Sequence, residues 1–570
     1  MKQIVLGSVS MIALVAAIGC GGGGGAAKVE TGGGGKVGGK DVAKEMPGGA
    51  PVTKEAADAF TQATLEFKTN EEARSWDDAK CTSVSAKFLA AGQAQGGKFP
   101  AAHYNAGITL LRCSREADAE KEFQIALDEK AALSAASSDP KVKADPVFHQ
   151  VWVQKAMIRY RKGDVAGINE AIDMIRSKGF DPDALSNVEA FMSLGLLYRE
   201  RWNKDPKNPD TRKKDDFGLE DDLARAQFWL QNALSINDSF MPAYNQLALF
   251  YLDKARAVAS KKAKGPKFAA KPGKEQTEAE KQEAKAKADL QTLELGLLVS
   301  EEASRRDPGY AGIWNTQGLI LLEMGRTGSA TKSFQNATQK DPKFFEAWMN
   351  YAAINLQFRG YGEAAKGYES AAALRPKDYD AKLGLAVSLR GQLDQYLTAK
   401  QEMERKVGEC TDPDKAPSPA CQKANAEFPP KIKEFEGKFL DFYKRAGAAY
   451  DAAKEADPSR IEAFFNKALL VEKYKAKAET NVTSAVAYRE AEKLYNEIVT
   501  KFGGQEKHAK LVANVKDRAE EARKSAEFEE KAMAAPPIPP PPPAAPAASG
   551  SAAKPAGSAP APAASAAPKK

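Results

Sequence analysis

The sequence predicts an all-α fold, a solenoid of stacked helix pairs, with segments at both ends that form no core. Pro308, Pro342 and Pro376 follow one another at a spacing of 34 residues, and Trp314 and Trp348 keep the same spacing. A period of this length is typical of one antiparallel helix pair with its turns. The two ends are instead rich in glycine or proline and poor in large apolar residues, so they have little to bury.

The N-terminus has the layout of an export signal. Lys2 precedes an apolar run from Ile4 to Ile18, which ends in small residues and a glycine tract. The run is shorter than the roughly 20 apolar residues that span a bilayer. We therefore expect a cleaved signal peptide over residues 1–19 rather than a permanent transmembrane helix.

The end of that run, Ala17-Ile18-Gly19-Cys20, resembles the lipobox of bacterial lipoproteins, although that family most often has Leu where Ala17 stands. The resemblance implies cleavage after Gly19 and acylation of Cys20, whose several acyl chains would anchor the protein firmly. Gly21 stands where Asp commonly signals inner-membrane retention, so the resemblance implies an outer-membrane lipoprotein, with the body expected in the periplasm. The alternative is an ordinary secreted protein whose cleavage site lies beside a cysteine.

Within one period, small and large residues stand at the positions where two packed helices touch. The unit from Ala311 to Pro342 places small and large residues at helical spacing, on a first helix at Trp314, Gly318 and Leu321 and on a second at Ala330, Phe334 and Ala337. Small residues let helices approach, rings fill the space between them, and proline ends the second helix. The pattern resembles the tetratricopeptide (TPR) repeat, which implies a solenoid whose first helices line a peptide-binding groove.

The same frame recurs with interruptions, so we predict a TPR-like solenoid over residues 52–503. A generic helical bundle would not explain prolines and aromatic residues kept in one register. Three insertions separate the two helices of a pair, at about 201–219, 258–288 and 391–437. Such insertions are tolerated at the surface and should lie along one edge. The second begins with a basic stretch that could contact anionic headgroups, peptidoglycan or an acidic partner, or could be a solvated loop.

Four cysteines remain if Cys20 carries lipid. Cys410 and Cys421 bracket a proline-rich turn, and in an exported chain this predicts a disulfide that closes a short loop. Cys81 and Cys113 fall near turns of successive units, so a second disulfide is plausible, unless the helix spacing leaves their Cα atoms too far apart.

The remaining segments are predicted to carry no core of their own. Residues 20–51 form a glycine-rich flexible linker, 504–535 a charged C-terminal helix, and 536–570 a disordered Pro/Ala-rich tail that favours polyproline II. Lys+Arg 83 against Asp+Glu 76 gives a net charge of +7, spread along the chain, so nucleic acid is an unexpected partner.

No catalytic, metal or cofactor motif is present, so we predict a protein that is not an enzyme and needs no cofactor. The only histidines, His103, His149 and His508, are scattered. His103 occupies the place of a large first-helix residue, which favours a packing role over a catalytic one.

By the TPR register, ten residues should face the groove. They are mostly apolar with a few amides: Asn245, Leu249, Asn315, Leu319, Leu322, Met349, Ala353, Leu356, Leu383 and Val387. A groove of this kind favours a hydrophobic strand or helix as ligand. Alternatively, some of these residues pack against the protein's own insertions.

These features together predict a lipid-anchored scaffold that binds other envelope proteins. The glycine-rich spacer, degenerate TPR units, cysteine pairs and Pro/Ala tail resemble TPR lipoproteins of the gliding-motility machinery in the myxobacterial group. Two other functions stay open: a biogenesis factor that receives unfolded outer-membrane proteins, and an adaptor that recruits cell-wall enzymes.

Overall fold

A computed structural model describes residues 52–534, except 74, 145, 182–186, 206–213, 216, 261–277 and 413–417. The predicted signal peptide, Cys20, the predicted linker, the basic half of the second insertion and the predicted C-terminal tail lie outside the described residues. The first half holds α1 Lys54–Ala73, α2 Asp78–Ala94, α3 Pro100–Leu111, α4 Glu116–Ala136, α5 Pro140–Ala144, α6 His149–Tyr160, α7 Val165–Met174, α8 Val188–Lys204, α9 Asp222–Ile236 and α10 Met241–Ser260.

The second half continues the same architecture. It holds α11 Glu278–Arg306, α12 Ala311–Glu323, α13 Thr327–Lys340, α14 Phe345–Gln357, α15 Tyr361–Leu374, α16 Tyr379–Glu409, α17 Pro419–Ala456, α18 Ile461–Ala478, α19 Ser484–Phe502 and α20 Ala509–Ala534. No helix in the described part of the chain is both long and apolar enough to cross a membrane.

Side-chain caps fix where several helices begin. The carboxylates of Asp77, Asp164, Asp221 and Asp378 each accept a hydrogen bond from the backbone N–H three residues further on, at 2.7 to 2.8 Å. Such a cap satisfies a donor that has no partner within the helix and contributes about 1 kcal/mol. The chain therefore starts these helices at defined residues.

From α6 onwards, first and second helices of a pair alternate, and each helix packs on the next. The first helices also touch across pairs: α6 contacts α8, α8 contacts α10, and α10 contacts α12. Within the described residues no two second helices are in comparable contact. The first helices therefore lie on the narrower, inner side of the stack. The chain is a TPR-like repeat protein, and the predicted fold class is confirmed.

The 34-residue period has a structural cause. The indole N–H of Trp314 donates to the carbonyl of Pro308 at 2.9 Å, and that of Trp348 donates to the carbonyl of Pro342 at 2.8 Å. Each bond ties a first helix to the turn before it. Proline and tryptophan recur together because they form one repeated contact.

A second repeated contact sets how closely the two helices of a pair approach. A Cβ atom added at Gly318 would lie 2.5 Å from the ring of Phe334, and one added at Gly107 would lie 2.5 Å from the ring of Phe123. Both rings are buried. In these pairs, the glycine leaves the space that the ring of the second helix fills.

The solenoid extends beyond residue 503. Val512, Val515 and Ala519 of α20 share one apolar cluster with α18 and α19, so the helix predicted at 504–535 packs as the last member of the stack. Its opposite face is exposed and polar along Asn514, Asp517, Glu521 and Lys524, and exposed Phe528 lies one turn further on the same face. A polar outer face is what a terminal helix of a repeat array needs.

The third insertion is helical on both sides of residues 413–417. Within 391–437, α16 continues to Glu409 and α17 begins at Pro419, so the two helices form an antiparallel hairpin.

Both predicted disulfides are present. Cys410 and Cys421 join the ends of the hairpin with Cα atoms 5.3 Å apart, and Cys81 joins Cys113 with Cα atoms 6.4 Å apart, within the range a disulfide can bridge.

Candidate functional site

The ten predicted groove residues all lie on the first helices α10, α12, α14 and α16. Their accessibility differs. Asn315 and Leu319 are buried, with exposed fractions of 8% and 6%, whereas the other eight are half-buried. Asn315 and Leu319 therefore pack within the solenoid, and a ligand on the inner face would meet the other residues.

Two amides of this set join neighbouring first helices. The hydroxyl of Thr316 donates to Oδ1 of Asn245 at 2.6 Å, and Nδ2 of Asn350 donates to Oδ1 of Asn315 at 2.9 Å. These bonds connect α10 to α12 and α12 to α14. The sequence register placed Asn245 and Asn315 on the inner face but did not reveal that they hold the stack together.

The apolar residues among the ten differ in whether they pack against an apolar cluster of the solenoid. Leu249 and Leu322 pack onto the cluster between α10 and α12, and Leu383 and Val387 pack onto the cluster of α16 and α17. Ala353 and Leu356 of α14 belong to none of the apolar clusters of the described residues. These two are the best candidates for contact with a ligand.

An exposed ring lies just beyond them. Phe358, directly after α14, has 57% of its surface exposed, and Arg359 follows in the left-handed region with φ 61°. Phe358 was not among the predicted groove residues because it lies outside the TPR positions. The one feature of the sequence that could have indicated Phe358 is a large aromatic residue at the end of a predicted helix.

A buried tyrosine joins α14 to the next helix, α15. The hydroxyl of Tyr351 on α14 donates to Glu363 on α15 at 2.9 Å. Burial, with a further contribution from this hydrogen bond, raises the pKa of Tyr351 to about 12. Lys366 and Tyr351 lower the pKa of Glu363, so the carboxylate stays charged and fixes the inner helix to the outer one.

The connections that carry the three insertions share one edge. Each runs from a first helix to its second helix: α8 to α9, α10 to α11, and α16 to α17. Because first helices of neighbouring pairs run in the same direction, their C-terminal ends meet at the same side of the stack. We call this side the insertion edge.

The end of the first insertion is an ordered turn. Asp215 accepts backbone N–H bonds from Phe217 at 3.0 Å and Leu219 at 2.9 Å, and the guanidinium of Arg225 holds the same carboxylate at 3.1 Å. The ring of Phe217 is 55% exposed. Its other side lies 5.7 Å from the ring of Phe228.

A cavity of about 420 Å³ opens beside this turn. Trp202, Leu223 and Phe250 are buried around it, and Glu220 and Lys254 supply charges of both signs. An exposed ring next to a cavity with an aromatic wall is a typical feature of protein–protein contact surfaces.

His103 has a different environment from the one predicted. Its Nδ1 lies 2.7 Å from Glu122, its Nε2 lies 3.5 Å from Glu129, and the side chain is 16% exposed. It therefore joins α3 to α4 through carboxylates as well as by packing. Burial raises the pKa of Glu129. Across the described ranges no group of three or more His, Cys, Asp or Glu side chains is placed to hold a metal ion.

No protein-family model matches the chain, and no curated protein does either. Solved helical structures resemble it at low identity. A TPR protein of Thermus thermophilus is 17% identical with a TM-score of 0.31, covering 42% of this chain and 98% of that one. The pilF protein of Pseudomonas aeruginosa is 16% identical with a TM-score of 0.28, covering 57% and 99%.

A third solved structure, MamA from Desulfovibrio magneticus RS-1, is 13% identical with a TM-score of 0.27, covering 45% of this chain and 97% of that one. TM-scores of this size carry no weight for function. The fold assignment rests on the packing of the helices described above.

Proposed function

We propose that this protein is a membrane-anchored scaffold that holds several proteins of the cell envelope in one assembly. The observation that carries the proposal is the pair of separate surfaces on one stack: the inner face around Ala353 and Leu356, and the insertion edge with its exposed Phe217. A repeat stack offers extended surfaces of this kind to partner proteins. Both surfaces present apolar side chains, which suit binding to another protein rather than catalysis.

The anchor and the location are parts of the same proposal. Both are supported by the segment Ala17-Ile18-Gly19-Cys20, which resembles a lipobox. This resemblance implies attachment to the outer membrane through lipid on Cys20. A place in the gliding-motility machinery is the narrower version, supported by sequence resemblance alone.

The first test concerns the partners. A crosslinked pull-down of the tagged protein from its own membranes should return a few envelope proteins in fixed ratios. Leu356→Glu places a charge on the inner face and should remove at least one partner, whereas Phe217→Ser should remove a different one from the insertion edge. Leu298→Glu is the matched control, because Leu298 is 57% exposed on the second helix α11 and should change nothing.

The partner profile also separates the alternatives. Many outer-membrane proteins at low occupancy would indicate a biogenesis factor, and enrichment of cell-wall hydrolases or synthases would indicate an adaptor. Identical profiles for Leu356→Glu, Phe217→Ser and the control would contradict both proposed surfaces. Circular dichroism must show that all variants keep their helix content.

The second test concerns the anchor. Cells that are fed a clickable fatty acid should label the native protein, and Cys20→Ser should abolish the label and release the protein from the membrane fraction. Gly21→Ala, next to the same position, should keep both. Labelling of the Cys20→Ser protein would remove the proposed lipid site while leaving the scaffold proposal intact.

A further inference from the structure

The hairpin of α16 and α17 projects beyond the helices that pack on its base. From Asp394 to Glu409, α16 adds 16 residues, or about 24 Å of helix. We call this part, together with α17 from Pro419 to Lys438, the arm. Asp394 accepts hydrogen bonds from Lys473 and Tyr474 of α18, at 2.7 and 2.6 Å. Most of the surface beyond it is exposed, so the order of the outer part depends on contacts between the arm's own two helices.

The apolar contacts between the two helices fall into two separate clusters, and Lys400 also pairs with Glu436 at 2.7 Å on the base side of the arm. At the base, the ring of Tyr396 lies 4.9 Å from Phe435 and 5.3 Å from Phe442, next to the core of α16 and α17. At the tip, Cys410 and Cys421 pack with Ala424 and Phe428 in a cluster of their own. The tip is therefore not a continuation of the core at the base.

Pro429 and Pro430 lie in α17 between the two clusters. Proline has no backbone N–H, so the carbonyls of Asn425 and Ala426 receive no helical bond from these two positions. Helix order at the base therefore does not propagate easily to Pro419–Phe428. Those ten residues are fewer than an isolated helix needs to be stable in water.

The facing segment of α16 has no such interruption. Arg405 and Glu402 form an ion pair at 2.7 Å, Lys406 and Glu402 one at 3.4 Å, and Arg405 also pairs with Glu409. Pairs at this spacing support a helix from within. On α17 a pair of this kind, Glu427 with Lys431 at 3.6 Å, spans the prolines. The two helices of the arm therefore differ in their backbone hydrogen bonds, two of which are missing in α17 alone.

We propose that the Cys410–Cys421 disulfide is a redox switch for the outer end of α17. With the disulfide formed, residues 419–428 are helical and the tip is presented as a defined surface. A dithiol reductant converts the disulfide to two thiols and becomes a disulfide itself, a transfer of two electrons and two protons. The segment then unfolds, whereas α16 and the solenoid stay folded. The tip is consequently complete only in an oxidising compartment.

Hydrogen–deuterium exchange on the full chain tests this switch. In the variant Cys410→Ser/Cys421→Ser, which leaves Cys81–Cys113 intact, amides of 421–428 should exchange about a hundredfold faster than in the oxidised protein, as expected when an 11-residue loop is no longer closed. Amides of 400–409 and of 440–453 should not change. Unchanged exchange in 421–428, or equal loss throughout the arm, would overturn the proposal.

The prolines provide the matched comparison. Pro429→Ala/Pro430→Ala, added to the cysteine variant, should restore helix continuity and slow exchange of 421–428 at least tenfold. No slowing would show that the prolines do not isolate the tip. Dithiothreitol titration of the native chain, with each disulfide followed by mass spectrometry, should show exchange of 421–428 rising with reduction of Cys410–Cys421 and not with that of Cys81–Cys113.

Discussion

Replacement of Gly318 by valine should destabilise the solenoid by about 3 kcal/mol, at the upper end of what overpacking a core typically costs. The new Cβ would lie 2.5 Å from the ring of Phe334, and that ring is only 1% exposed, so it has no free space to enter. Either α12 and α13 separate or the ring leaves its rotamer. Thermal unfolding followed by circular dichroism should show a lower midpoint.

Gly328→Ala is the matched control in the same helix pair. A Cβ at Gly328 meets nothing within 4 Å, so alanine should leave stability unchanged or raise it by up to about 1 kcal/mol. Adding Phe334→Leu to Gly318→Val should recover part of the loss, because leucine occupies less of the space near residue 318. Equal midpoints for Gly318→Val and Gly328→Ala would contradict the close approach of the helices.

Replacement of Asp222 by alanine should cost about 3–5 kcal/mol, the range for breaking a buried ion pair from one side. The Asp222 side chain is fully buried and accepts hydrogen bonds from Arg201 at 2.7 Å and Arg225 at 2.6 Å. Its removal takes a negative charge away from two largely buried guanidinium groups. The thermal midpoint should fall, and the turn at Phe217 should exchange its amides faster.

Asp238→Ala is the control for this variant. Asp238 also pairs with an arginine, Arg306, at 2.9 Å, but its side chain is 76% exposed, and exposed pairs contribute little. No change in midpoint is expected for Asp238→Ala. A similarly small change for Asp222→Ala would mean that Arg201 and Arg225 find other partners or water.

The sequence was sufficient to predict the features that repeat. Prolines and tryptophans kept at 34 residues predicted the helix pairs, and in two successive pairs they recur because indole and carbonyl form the same hydrogen bond. The cysteine pairs were predicted from their position beside turns. The location of the ten inner-face residues on first helices followed from the same register.

Features that depend on distant partners could not be predicted in this way. The burial of Asn315 and Leu319 depends on how closely neighbouring first helices approach. The turn at Asp215 is ordered by Arg225, which lies on the following helix. The helical arm of the third insertion was not predicted, although the lysine, glutamate and alanine residues around its prolines and cysteines favour helix.

The polar outer face of α20 also bears on whether further units or copies of the chain can add to this end of the stack. A stack of similar units is in principle an open-ended polymer, since every exposed end could accept another unit or another copy of the chain. Amide and charged side chains such as Asn514 and Asp517 disfavour that addition because docking would strip them of water, whereas Phe528 is a large apolar side chain exposed on the same face. The packing of successive helix pairs then holds the inner face and the insertion edge at fixed separations along the stack.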